Sequence, residues 1–166
     1  MDNVYRWYPV TTRSRSEKKA YDELLRKNLT AYLPVRKTLK QWSDRKKWVE
    51  EPLLKSYIFV YISAREHAEV LMTQGIARFI YFSGQISSIP DQQIENLKLL
   101  LSSGEDLNVL EQDFKAGEKV RIKAGPFMGI VAELVSLQSK QRIILRLQNM
   151  GYAIEINTSM GYVERI

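Results

Sequence analysis

The sequence predicts an α+β protein in two parts: an N-terminal antiparallel sheet with flanking helices, followed by a small C-terminal five-stranded β-barrel. Three observations carry this expectation. Aromatic and β-branched segments alternate with amphipathic helical ones up to about residue 102. Ser102-Ser103-Gly104-Glu105-Asp106 then breaks the pattern with small and acidic residues. Beyond Phe114 the helical periodicity stops, and only short alternating segments remain.

Tyr5 to Thr12 combines aromatic and β-branched residues, which fit a pleated, half-buried surface, and predicts the first strand. Ser14-Arg15-Ser16-Glu17 has the Ser-x-x-Glu spacing of a capping box, so a helix is expected to start there. Ala20, Tyr21, Leu24, Leu25 and Leu29 recur at helical spacing, with Lys18, Lys19, Asp22, Glu23, Arg26 and Lys27 on the other sides. Ala31 to Trp42 and Lys47 to Leu54 predict a hairpin whose tip, Ser43-Asp44-Arg45-Lys46, is polar and basic. Tyr57 to Ile62 is apolar at every position. In a strand, Ile58, Val60 and Ile62 line one face while Tyr57, Phe59 and Tyr61 line the other, so both faces of this sheet need cover. Glu66 to Thr73 predicts a short helix and Ala77 to Phe82 a further strand. Pro90-Asp91 opens a helix carrying Ile94, Leu97 and Leu101. The predicted order is β-α-β-β-β-α-β-α.

These boundaries divide the chain into a domain over 1–102, a linker over 103–112 and a second domain over 113–166. The second domain's strands are expected at Val120 to Lys123, Ile130 to Leu137, Ile143 to Leu147, Ala153 to Ile156 and Tyr162 to Ile166, spaced as in a small barrel. A helical reading competes there. Ile130, Val131, Leu134 and Val135 share helical spacing, as do Ile143, Ile144, Leu147 and Met150, with a turn at Ser139-Lys140. Strand alternation in Ile143, Leu145 and Leu147, together with the β-branched content, favours the barrel.

Composition narrows the function classes. With no cysteine, disulfides, thiolate metal sites and cysteine nucleophiles are excluded. The single histidine, His67, stands in the polar run Ala64 to Ala68 and reads as a solvated residue at a helix start. An enzyme is therefore not expected, nor a cofactor or metal. With no spanning apolar run and no apolar leader, the chain is expected to be cytoplasmic, monomeric and free of the membrane. The net charge of +6 is unevenly placed. Residues 1–55 hold 14 of the 25 Lys and Arg against 7 of the 19 Asp and Glu, so the basic surface belongs to the N-terminal third.

Two segments resemble a known family. Val120-Arg121-Ile122-Lys123-Ala124-Gly125-Pro126-Phe127-Met128-Gly129, led by Phe114-Lys115-Ala116-Gly117-Glu118-Lys119, resembles the KOW motif, a strand running into a Gly-Pro-Phe-x-Gly turn. Trp7-Tyr8 and Glu51-Pro52-Leu53-Leu54-Lys55-Ser56-Tyr57-Ile58-Phe59-Val60 resemble the N-terminal (NGN) domain of NusG-type transcription elongation factors. Gly75-Ile76-Ala77-Arg78-Phe79 and Ile89-Pro90-Asp91 also have counterparts there. The resemblance spans nearly the whole chain and implies an NGN domain followed by an SH3-like KOW barrel. Lys55-Ser56 replaces the Pro-Gly of housekeeping members, and Ala132 stands where the KOW motif has a second Gly. Both are closer to specialised, operon-specific paralogues of the RfaH and UpxY types, the latter acting on capsule polysaccharide operons.

The resemblance implies a factor that binds RNA polymerase and suppresses pausing or termination. The alternatives are a housekeeping NusG-like factor and a ribosomal or RNA-binding KOW protein. In such factors a hydrophobic patch takes the clamp helices of the largest polymerase subunit, and the matching positions are Trp7, Leu54, Tyr57, Phe59, Phe79 and Ile94. Without the resemblance, the aromatic face would read as core beneath a helix. Val10, Ile58, Val60 and Ile62 are then the core side, packed on Leu24 and Leu25. Arg13, Arg15, Lys18 and Lys19 read either as a solvated helix face or, by the resemblance, as contacts to the non-template DNA strand. Arg45, Lys46 and Lys47 are further nucleic-acid positions, with Trp48 as a stacking platform. In the KOW domain Phe127 reads chiefly as a turn-packing residue. Met150 and Tyr152 flank Gly151 where NusG-type factors bind ribosomal protein S10 or Rho.

Overall fold

Six consecutive pairs, from Arg6↔Ile62 to Thr11↔Tyr57, join strand β1 (Arg6–Thr12) antiparallel to β5 (Tyr57–Ile62). The computed structural model describes residues 1–112 and 114–166. Asp113, the first residue of the expected second domain, lies outside the described residues. Two compact units, Met1–Ile94 and Glu95–Ile166, divide inside helix α3 (Asp91–Ser102).

In the first unit a four-stranded antiparallel sheet has the order β2-β5-β1-β6, with β2 at Thr30–Tyr32 and β6 at Ile76–Phe79. Tyr8 and Val10 of β1 and Ile58, Val60 and Ile62 of β5 form one buried cluster with Ala20 and Leu24 of α1 (Glu17–Arg26) and Val70 of α2 (His67–Leu71). Leu25, expected beside Leu24, is instead exposed, because it lies one helical step off the buried stripe. Pro9 occupies the middle of a central strand, where a missing donor is normally costly. Its carbonyl accepts from Ile80 N at 3.3 Å, the side on which an N–H would also point, and β6 has ended there. The Ile80 carbonyl accepts from Ser87 N at 2.8 Å instead.

Several expected elements are redrawn by long-range pairing. Ala31 to Trp42 is not one strand. Around Pro34 it divides into β2, which joins the main sheet, and β3 (Val35–Gln41), which pairs only with β4 (Lys46–Pro52). Ala77 to Phe82 likewise divides into β6 and β7 (Tyr81–Phe82), the latter turning through Ser83-Gly84 onto β8 (Gln85–Ile86). The capping box expected at Ser14 is absent from α1, whose N-cap is Ser16 without a side-chain cap. The capping box instead forms at Ser63 and Glu66, ahead of α2. His67 corrects another expectation. It is half-buried, its ring stacked on Phe79 with centroids 4.7 Å apart and planes at 17°.

The second unit pairs antiparallel in the order β14-β10-β11-β12-β13-β9, six strands rather than the expected five. They are β9 (Asn108–Leu110), β10 (Glu118–Ile122), β11 (Val131–Leu137), β12 (Lys140–Leu147), β13 (Tyr152–Glu155) and β14 (Val163–Arg165). The extra strand lies in the segment expected to be linker. Val109 faces Ile154 across the ladder, and Asn108 Nδ2 donates to Glu155 at 3.0 Å. The helical reading is not adopted. β11 and β12 form a hairpin whose turn residues Gln138 and Ser139 have φ of 50° and 64°, the backbone of a two-residue primed turn.

Glu133 of β11 ties this unit together. It accepts from Arg146 Nε at 2.8 Å, Arg146 Nη2 at 3.2 Å and Gly117 N at 3.0 Å. Burial pushes its carboxyl up, but the guanidinium and the Gly117 N–H outweigh that and hold it below its ordinary 4.5. The contribution to stability is therefore present above about pH 4.5 and lost as pH falls through the lowered value. Gly117 itself lies hard against β11, where a Cβ would meet the Leu134 carbonyl oxygen at 2.3 Å. Gly117→Ala should therefore destabilise the protein by about 1–3 kcal/mol, read as a lowered midpoint in urea unfolding. A midpoint equal to that of the unsubstituted chain would show that the backbone approach is not a constraint.

Candidate functional site

Alternation along β1 and β5 builds an aromatic face opposite the aliphatic core. Trp7↔Tyr61, Pro9↔Phe59 and Thr11↔Tyr57 are register pairs, so these six side chains share one side of the sheet, with Tyr32 added by its pairing to Phe59. Ring centroids lie 5.2 Å apart for Trp7 and Tyr61, 5.7 Å for Tyr5 and Tyr61 and 6.4 Å for Tyr32 and Phe59. Tyr5 is steered by its hydroxyl, which donates to Glu66. Hydrogen bonds from Ser63 and Tyr5 hold the Glu66 carboxyl below its ordinary value. Trp7 also carries the link to α3, since Ile89 N donates to the Trp7 carbonyl at 2.9 Å.

The six positions expected to bind polymerase do not form one open patch. Trp7 and Tyr57 are half-buried and on the aromatic face. Phe59 is on that face but has no exposure, and Leu54 and Ile94 are also buried. Phe79 lies on the opposite side. Its register partner is Val10, and its ring meets Tyr8 edge-on at 6.2 Å within the core. A register shift between Thr11 and Thr12, which spacing in the sequence does not reveal, precedes that assignment. Tyr61 and Tyr5 join the aromatic face without being among the expected positions. For Tyr61 the signal was present in the Tyr57-Phe59-Tyr61 alternation.

Arg13, Arg15, Lys18 and Lys19 are all exposed. Lys18 Nζ donates to the Glu50 carbonyl of β4 at 3.2 Å, so it is a brace between helix and hairpin. Lys19 lines a pocket with Ser16, Asp22, Glu23, Arg26, Gln74 and Gly75. Arg45, Lys46 and Lys47 are exposed at the hairpin end, where Trp42 N donates to the Arg45 carbonyl at 2.7 Å. In the second unit Phe127 and Met150 are buried at 1% and 7% exposure, which makes them interior packing residues, whereas Tyr152 is half-exposed. Phe127 is held by the Gly-Pro-Phe turn, in which Met128 N donates to the Gly125 carbonyl at 3.2 Å and Gly129 N to the Ile122 carbonyl at 2.7 Å. Among the described residues, no group of three or more His, Cys, Asp or Glu could hold a metal ion. No helix among them is long and apolar enough to cross a membrane.

The segment that replaces Pro-Gly keeps a glycine-like backbone. Ser56 has φ 63°, and two contacts hold it: its N–H donates to Glu17 Oε1 at 2.9 Å, and its carbonyl accepts from Thr12 N at 2.9 Å. Glu17 is thus buried for a reason other than capping. It fixes the turn that delivers Tyr57 to the start of β5.

A family model described as transcription termination factor nusG matches residues 5–98. The transcription termination/antitermination protein NusG of Borreliella burgdorferi is 24% identical over 181 residues, an alignment covering 96% of this chain and 98% of that protein. The protein of the same name from Rickettsia conorii is 25% identical over 177 residues, covering 98% and 91%. A solved structure described as domain interaction in Thermotoga maritima NusG shares the fold with a TM-score of 0.53 at 20% identity, covering 98% of this chain and 97% of that one.

Two substitutions check the Ser56 turn by denaturant unfolding. Glu17→Ala should cost about 1.5–3 kcal/mol, because a part-buried N–H loses a charged acceptor. Ser56→Gly should stabilise by up to about 1 kcal/mol by relieving the left-handed backbone. No change in either variant would mean that the turn is set elsewhere.

Proposed function

The chain belongs to the NusG family, and we propose on that premise that it is a non-catalytic transcription termination or antitermination factor acting on RNA polymerase through the aromatic face of its N-terminal sheet. The single observation that carries this is the cluster of Trp7, Tyr61, Tyr5 and Tyr57 on one side of β1 and β5. Aromatic side chains left partly exposed on a rigid sheet suit interface anchors. In this reading the occupant is the pair of clamp helices of the largest subunit. Phe59, Leu54 and Ile94 are buried and stand outside the exposed anchor set, and Phe79 belongs to the core.

The mechanism is a shift of population. A factor with higher affinity for the elongation-competent polymerase stabilises that state by the difference in affinity alone and needs no chemistry of its own. The second unit serves as the KOW module, its ladder closing as a small barrel, with Tyr152 as the partly exposed position for ribosomal protein S10 or Rho. A second reading, operon-restricted action through the non-template DNA strand, is favoured by Arg13, Arg15 and Lys19. All three are exposed and without an ion pair among the described residues.

Trp7→Ala with Tyr57→Ala should weaken binding to purified RNA polymerase by several kcal/mol, of order 2–4 kcal/mol for each central anchor, measured by titrating labelled protein with the enzyme. Native affinity in a double variant with native circular dichroism would reject this face as the binding site.

A further inference from the structure

The β3–β4 hairpin stands apart from the main sheet of the first unit, and most of its side chains are neither buried nor used in the proposed polymerase contact. It forms its own two-stranded sheet in unbroken register from Val35↔Pro52 to Gln41↔Lys46. Seven residues per strand give it a length of roughly 23 Å. Its base is ion-paired, with Arg36 and Lys40 on Glu51 at 3.3 and 3.2 Å and Lys37 near Glu50 at 4.0 Å. Its outer end is not. Arg45, Lys46 and Lys47 are exposed and make no ion pair or side-chain hydrogen bond among the described residues, and Asp44 is the one acidic residue beside them.

Two tryptophans flank this cationic end. Trp42 is 53% exposed and Trp48 66%, and among the described residues neither ring stacks on another ring. Strand alternation separates them. Trp48 pairs with Leu39 on the side of Lys46. Trp42 lies one residue past β3, tied to Arg45 by its N–H, and the alternation carried that one step sets it with Lys40 and Lys47 on the opposite side. Each face of the arm therefore presents one indole beside at least one free cation. A recess lined by Lys37, Trp48, Val49 and Glu50 opens next to the Trp48 ring. Cross-strand packing on Leu39 explains part of the Trp48 placement. It does not explain two mostly exposed indoles on opposite faces, which would normally be an aggregation hazard on a small hairpin.

We propose that this arm grips single-stranded nucleic acid, the indoles of Trp42 and Trp48 stacking on unpaired bases while Arg45, Lys46 and Lys47 hold the adjacent phosphates. The pairing of exposed π-faces with unneutralised cations matches the two needs of single strands, base stacking and backbone charge. Duplex bases offer no free face to an indole, so the chemistry favours an unpaired strand over a double helix. This site is separate from the aromatic sheet face, and its test requires no polymerase.

The test is fluorescence anisotropy of a labelled 12-nucleotide single strand titrated with the full-length protein over a range of salt concentrations, with the matching duplex in parallel. The expected result is tighter binding of the single strand. Trp42→Ala with Trp48→Ala should weaken it at least about ten-fold without changing the salt slope. Lys46→Ala with Lys47→Ala should instead flatten the log–log salt slope by about 1.4. Trp42→Phe with Trp48→Phe, which keeps two stacking rings, should retain most of the affinity even if the alanine variant disturbs the hairpin. Native affinity in the alanine variant, a phenylalanine variant no better than the alanine one, equal binding of the duplex, or no saturable binding by the native protein would each overturn the proposal.

Discussion

The register between β1 and β5 is the constraint on which the N-terminal unit depends. Side chains alternate with period two, so pairing Val10 with Ile58 and Tyr8 with Val60 commits every second residue of both strands to the core beneath α1. The same pairing commits Trp7, Tyr61 and Tyr57 to the other face. A slip of one residue would bury the aromatics against Leu24 and expose the isoleucines. The register is also what lets Pro9 occupy a central strand, because its missing donor falls where β6 has already ended. At the other end, the Ser56 turn stops β5 from sliding, with Thr12 and Glu17 each holding one of its backbone groups.

Much of this was readable in the sequence because it is local. The apolar run Tyr57 to Ile62 announces a strand covered on both sides, and the stripe of Ala20 and Leu24 announces the buried side of α1. What escaped depends on partners far along the chain. Glu17 fits a capping box by spacing, yet its carboxylate spans 39 positions to reach Ser56. Phe79 looks like one more aromatic for the exposed face until its pairing with Val10, across a register shift, turns it inward. His67 has polar neighbours in sequence and an aromatic ring beneath it in space. Asn108 to Leu110 carries too little pattern to be seen as a strand and becomes one because β13 offers an open edge.

The departures from the housekeeping pattern are conformationally conservative. Ser56 takes the backbone that a glycine would take, at the cost of a strained φ that its hydrogen bonds offset. Ala132, where the KOW motif has a second Gly, is buried at 4% exposure and pairs with Val120 in the β10–β11 ladder, so a methyl group fits. Gly117 is a different case. The Leu134 carbonyl leaves no room for a side chain, and the same N–H feeds Glu133. Substitution is thus tolerated where hydrogen bonds or space allow it and barred where two backbones touch.

The aromatic face should contact polymerase while the solvated side of α1 does not, and site-specific photocrosslinking tests that directly. A photoreactive phenylalanine analogue would be placed at Tyr61 in one protein and at the exposed Asp22 in another, each then mixed with purified RNA polymerase and irradiated. The expected result is a crosslink from position 61 to the largest subunit and none from position 22. A crosslink from position 22 with none from 61 would contradict the assignment of the binding face.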